Sequence, residues 1–282
     1  MLVALAFCPH PVMLVPQVSR VAEESLADLR SACDAAVAGM LDPAPARAPD
    51  RVLVVGGGSR AESYRSGDWG SLRGYGVPVS AVLGAGACSG RGGMPLSITL
   101  GAWLLRRASY SGDVQGFGVP DGASGTQIDE WAREIAGLGG TTGPAAPAER
   151  IGLLVMGDGS ARRDASAPGY VDERARTFDD RVAAALRMAD ARTLAALDPD
   201  EGRTLMAAGT QAWRLAGRVA EAEQQPPDRQ SWQARLLYEQ APYGVGYHVA
   251  LWTARTRPRE AASRGSAQIT QDPVQAPAQV RT

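Results

Sequence analysis

Residues 151–160 read Ile-Gly-Leu-Leu-Val-Met-Gly-Asp-Gly-Ser, a strand followed by a polar turn. Ile151–Met156 is a short apolar run without polar alternation, the pattern of a strand covered on both faces. It stops at Gly157-Asp158-Gly159-Ser160, where glycines and an aspartate turn the chain and leave polar groups at the strand's carboxyl end. Two more runs have the same form. Residues 2–7 are apolar and stop at Cys8-Pro9-His10-Pro11, and Arg51–Val55 stops at Gly56-Gly57-Gly58-Ser59. Val77–Leu83 reads as a further strand, followed by a glycine-rich loop to Gly93.

Helical periods lie between these runs. Val21, Leu26, Leu29, Cys33 and Val37 fall near helix spacing, with Ser19 as N-cap and an end near Leu41. Leu96–Ala108 has the length and content of a buried helix, and Asp129–Leu138 predicts another. Asp172 to about Leu197 is helical with a break near Asp190, and Asp200–Glu223 is a further helix with Leu205, Trp213 and Leu215 on its apolar side. Trp232–Tyr238 leads into Tyr243–Trp252, a last strand. Strands alternating with helices predict a single three-layer α/β/α domain over residues 1–254, around a mostly parallel or mixed sheet. Residues 255–282 turn to Arg, Pro, Ser, Gln and Ala, the composition of a disordered tail.

Composition excludes several functions. A formal net charge of -1 gives no electrostatic footprint for nucleic acid or an anionic membrane surface. No run of about 18 apolar residues spans a bilayer. The opening MLVALAFCPH lacks a basic flank and a small-residue cleavage site, so it reads as a buried strand rather than a signal peptide. Three cysteines at unrelated spacings (Cys8, Cys33 and Cys88) fit reduced thiols and a cytoplasmic location. Lysine is absent, which removes Schiff-base chemistry and the lysine-bearing phosphate loop.

Ligands of open α/β sheets bind outside the carboxyl ends of the strands, so the candidate chemistry lies there. Of the two histidines, His10 sits between prolines that hold its backbone extended, while His248 lies inside the last strand. Asp158, Ser160 and Arg162, with Arg163 beside them, put a carboxylate, a hydroxyl and guanidinium groups at one strand end, suited to clamping an anion. Glu239 supplies a carboxylate just before the glycine-loosened final strand. Gly56-Gly57-Gly58-Ser59-Arg60-Ala61 formally matches a dinucleotide fingerprint, but the next strand ends without the acidic residue that would hold a ribose. A tight strand-to-helix turn exposing backbone N–H groups is the simpler reading.

Taken together, Cys8-Pro9-His10-Pro11, the Arg51–Ser59 strand-turn, Val155–Ser160 followed by Phe178-Asp179, and Tyr243-Gly244-Val245-Gly246-Tyr247 resemble the LigB-like class III extradiol ring-cleavage dioxygenases and their Memo-like relatives. More narrowly, the chain resembles an actinobacterial branch of that superfamily. The resemblance covers most of residues 1–253. It implies a non-haem Fe(II) held by two histidines and a carboxylate, open to a catechol and O₂, a further histidine as acid/base, and a homodimer. His10 matches the first ligand. The second histidine would fall near Gly58-Ser59-Arg60 and the acid/base histidine directly after Ser160, where this chain has Ala161. An iron site would therefore rest on His10, Glu239 and His248, with Asp158, Ser160 and Arg162 as the catalytic side chains. Two alternatives stand beside ring cleavage. One is a metal-free scaffold that binds a small anionic or aromatic ligand or a protein partner. The other is a metal-independent hydrolase or transferase using Ser160 or Cys8 as nucleophile, with His10 or His248 as base.

Overall fold

The computed structural model describes residues 1–18, 23–43, 48–138, 148–224 and 231–255. The expected tail beyond Arg255, the helix start at Ser19 and most of the 139–149 linker lie outside these residues.

The apolar runs form the centre of one seven-stranded sheet. Strands β1 (Leu2–Cys8), β2 (Arg51–Gly58), β6 (Asp113–Pro120) and β7 (Ile151–Met156) are parallel neighbours in the order β6-β2-β7-β1. Antiparallel strands finish both edges: β3 (Glu62–Tyr64) beside β6, and the hairpin β9 (Tyr247–Arg255) and β8 (Ser231–Gln240) beside β1. Strands β4 (Trp69–Ser71) and β5 (Ser80–Val82) pair separately.

Helices cover both faces. On one side α1 (Glu23–Leu41) and α2 (Leu96–Arg107) pack over a core that takes Ala4, Ala6, Val52, Val54, Leu154 and Met156 from the strands. On the other, α3 (Gly125–Leu138), α4 (Arg174–Met188), α5 (Ala191–Ala195), α6 (Pro199–Thr204) and α7 (Thr210–Glu223) enclose Leu5, Phe7, Leu53, Val55, Leu153 and Val155. Side chains of the central strands thus alternate between two complete apolar layers, which is why these strands carry no polar alternation. The three-layer α/β/α expectation describes this fold.

Several boundaries differ, each for a local reason. The expected strand Val77–Leu83 contributes only Ser80–Val82, paired with β4 outside the main sheet. The main sheet instead contains β6, whose Asp-Val-Gln-Gly-Phe-Gly-Val-Pro sequence conceals its strand character behind two glycines. Gly116 lies under Ile98, Leu83 and Tyr64, with Ile98 Cγ2 2.9 Å from where a Cβ would stand. Helix α3 begins at Gly125, four residues earlier than its apolar period indicates. Ser124 and Gln127 form a reciprocal capping box there, Ser124 N–H donating to Gln127 Oε1 and Gln127 N–H to Ser124 Oγ. The break near Asp190 is present: Ala189 is left-handed, and the Asp190 carboxylate accepts Thr193 N–H to start α5. A second break, with Met206 at φ 55°, divides the expected 200–223 helix into α6 and α7.

The Gly56-Gly57-Gly58 reading is corrected. All three glycines belong to β2, paired with Gly118–Pro120 of β6, and the chain continues into β3 rather than a helix. Their backbone runs in register with β6, so they form neither a phosphate cradle nor a strand-to-helix turn.

Candidate functional site

The carboxyl ends of β1, β2 and β7 and the start of β9 lie at one end of the sheet, because β9 runs antiparallel to β1. All the candidate residues are at this end. Strand parity then divides them into two clusters.

Tyr247 and His248 are consecutive in β9 and face opposite sides of the sheet. Tyr247 belongs to the α1 and α2 side with Val249 and Leu251. Asp158 is near enough for its charge to act on the Tyr247 phenol, and it also holds His10. Asp158 Oδ1 accepts the His10 backbone N–H at 2.6 Å and lies 3.5 Å from His10 Nδ1, which is buried and has no hydrogen-bond partner. The His10 side chain keeps 11% of its surface exposed, against 2% for His248. Burial, with the charge of Asp158 adding to it, pushes the Tyr247 phenol well above its ordinary range, so it remains a neutral hydroxyl. Beneath the pair, Cys8 ends β1 and the Cys33 thiol of α1 is hydrogen-bonded to it. Burial raises the Cys33 thiol well above its usual value, which leaves it inert as a nucleophile.

The second cluster is on the α4 and α7 side. His248 packs edge-on against Trp213, with ring centroids 6.2 Å apart, and its Nε2 is 3.9 Å from Asp179 Oδ1. Neither ring nitrogen of His248 has a hydrogen-bond partner. Asp179 is fully buried and accepts the Ser160 N–H at 2.8 Å and Arg163 Nη1 at 3.0 Å. Glu239 is the cross-strand partner of His248, but its carboxylate pairs with Arg187 of α4 at 2.5 Å.

The expected metal ligands are therefore placed apart. His10 stands with Asp158, His248 faces Asp179 and Trp213 on the other side of the sheet, and Glu239 is neutralised by Arg187. Among the described residues no three His, Cys, Asp or Glu side chains form a group able to hold a metal ion. As placed, these residues do not fit the two-histidine, one-carboxylate set that Fe(II) would require.

The expected catalytic trio also separates. Asp158 is in the first cluster. The Ser160 hydroxyl is fully buried, donates to the Leu205 carbonyl at 2.8 Å and accepts the Arg162 N–H at 3.1 Å, so it closes a turn and is not presented as a nucleophile. Arg162 holds the same loop through its backbone, its carbonyl accepting the Asp172 N–H. Arg163 is spent on Asp179, so the two guanidinium groups do not form a joint anion clamp.

Two residues of the site were not candidates in the sequence. Tyr247 gave no signal distinct from its aromatic neighbours. Asp179 did: it follows Phe178 on the face of α4 that also carries Ala175, Val182 and Leu186, and a carboxylate on a buried helical stripe demands partners.

No family model matches the chain, and no curated protein matches it. Among solved structures it is similar to the uncharacterized protein JW3007 of Escherichia coli K12, at 12% identity and a TM-score of 0.41, over 89% of this chain and 99% of that one. A likeness this distant carries no argument about the site. No helix among the described residues is long and apolar enough to cross a membrane.

Proposed function

We propose that the chain binds a small aromatic or anionic molecule at the carboxyl ends of β1 and β7 and exchanges a proton with it through His10, oriented by Asp158. The observation that carries this reading is the place of one carboxylate oxygen, which accepts the His10 backbone N–H at 2.6 Å and stands 3.5 Å from His10 Nδ1. The first contact fixes where the residue stands. The second puts the carboxylate's negative charge beside Nδ1, short of a hydrogen bond, and that charge favours the tautomer with its proton on Nδ1, leaving Nε2 as the base. Tyr247, within reach of the same carboxylate's charge, is kept neutral by burial. Three free cysteines support a reducing, cytoplasmic setting.

A thermal-shift screen of phenols, benzoates and small carboxylates tests this reading on wild type, His10→Gln and Asp158→Asn. A ligand present at about 100 times its Kd stabilises its binding state by about 2.7 kcal/mol. The expected result is a set of ligands that raise the wild-type midpoint and lose the effect in both variants. Equal shifts in all three proteins would place binding elsewhere and overturn the proposal.

Extradiol ring cleavage is a second reading, favoured by His10 at the end of β1 with an unpartnered Nδ1. Its iron would supply O₂ and catechol activation, but the side chains as placed do not fit that metal. No step is routed through it.

A further inference from the structure

We infer that Asp179 is a positioning residue for the His10–Asp158 pair: it fixes the turn after β7 that presents Asp158 to His10. This rests on the reading of that pair as the working site.

The turn, residues 157–160, is held from three elements. From the N-cap of α7, the Gly209 N–H donates to the Asp158 carbonyl at 2.8 Å. From the segment entering β9, the Gly246 carbonyl accepts the Gly159 N–H at 2.7 Å and the Gly246 N–H donates to the Ser160 carbonyl at 2.9 Å. From α4, Asp179 accepts the Ser160 N–H. These bonds leave Asp158 with its backbone fixed on both sides and only its side chain free to reach His10.

Asp179 is the costly member of this set. A fully buried carboxylate loses its hydration and persists only with full compensation, which Arg163 and the Ser160 N–H provide. The surrounding chain is shaped around it. A Cβ on Gly159 would stand 2.6 Å from Asp179 Oδ1, and one on Gly246 would collide with Asp179 Oδ2, so both strand-end glycines make room for the carboxylate. An apolar side chain could fill this volume, but it could not accept the Ser160 N–H. That acceptor, one residue beyond Gly159, is what Asp179 adds to the placement of Asp158.

The test separates holding the fold together from holding Asp158. In Arg163→Met/Asp179→Leu the buried charges and the acceptor are both removed. In Arg163→Met/Asp179→Asn the charges are removed but a carbonyl oxygen remains for the Ser160 N–H. With only two histidines in the chain, long-range ¹H–¹⁵N spectra report the His10 tautomer directly. Wild type is expected to carry the neutral His10 proton on Nδ1. The Asn double variant keeps that form, and the Leu double variant loses it in favour of Nε2–H, with both variants folded. A purely structural Asp179 would leave the tautomer unchanged in both, which would overturn the inference. Wild-type His10 protonated on Nε2 would overturn the underlying reading of the pair, and this inference with it. Hydrogen exchange gives a second measurement that needs no variant: the Ser160 amide is expected to exchange as slowly as the β7 amides, and exchange at the rate of an open loop would overturn the inference.

Discussion

Replacing Asp158 with alanine removes the acceptor for the His10 backbone N–H, and the cost follows from the geometry. The bond is 2.6 Å long, its acceptor is a carboxylate, and its donor belongs to a buried residue. A hydrogen bond to a charged group contributes about 1.5–3 kcal/mol, and an orphaned buried donor costs about 1–3 kcal/mol. These are two views of one loss and are not summed, so Asp158→Ala is expected to destabilise by about 2–3 kcal/mol. For a domain of this size that is a fall in Tm of about 4–12 °C. Asp158→Asn keeps a carbonyl oxygen for the N–H and loses only the charge assistance, so its cost is expected to be about 1 kcal/mol. Urea midpoints at neutral pH, with calorimetric Tm alongside, measure both. The ordering matters more than either value. An alanine variant as stable as wild type, or more stable, would mean that the carboxylate is strained rather than seated at the His10 N–H.

Three further outcomes are expected. Trp252 Nε1–H donates at 2.7 Å to the Leu186 carbonyl in the last turn of α4, where helical carbonyls lack their usual partners. Trp252→Phe should therefore cost about 2–4 kcal/mol by urea denaturation, from an orphaned carbonyl and a cavity. Burial alone would raise the Asp68 carboxyl, but the Arg65 and Arg91 N–H donors and the Arg91 guanidinium outweigh it and hold it below the ordinary 3.8. Asp68 thus adds stability above that value which disappears as pH falls through its lowered folded pKa, so Asp68→Asn should flatten the acid limb of the stability–pH curve below about pH 4. Anaerobic reconstitution with Fe(II), followed by metal analysis, should give far less than one iron per chain in wild type and in His10→Ala alike; near-stoichiometric iron lost in His10→Ala would restore the metal reading.

The central strands were legible because residues such as Leu153, Leu154 and Val155 are buried alternately in two different layers and so cannot be polar at either parity. Strand β6 was not, since Gly116 and Gly118 replace the apolar residues that advertise a strand, for the sake of neighbours that only the fold brings near. At the candidate site, His10 and Asp158 could be picked out from their places at strand ends. Their meeting could not, because it depends on β7 lying beside β1 across more than 140 residues of chain. Parity sets His248 and Glu239 apart from His10. His248 follows Tyr247 by one residue, and one residue along a strand is the opposite face of the sheet. Asp179 marks the converse case, a charge on an apolar helical stripe whose partners, Ser160 and Arg163, come from another element.

On the proposed function, ligand and proton meet at His10. The decisive measurement titrates ¹⁵N-histidine-labelled protein with the phenols and carboxylates that raise its thermal midpoint. The His10 ring resonances are expected to move saturably, while those of His248, across the sheet, stay in place. Ligands that bind and leave His10 unmoved, or that move His248 instead, would contradict it.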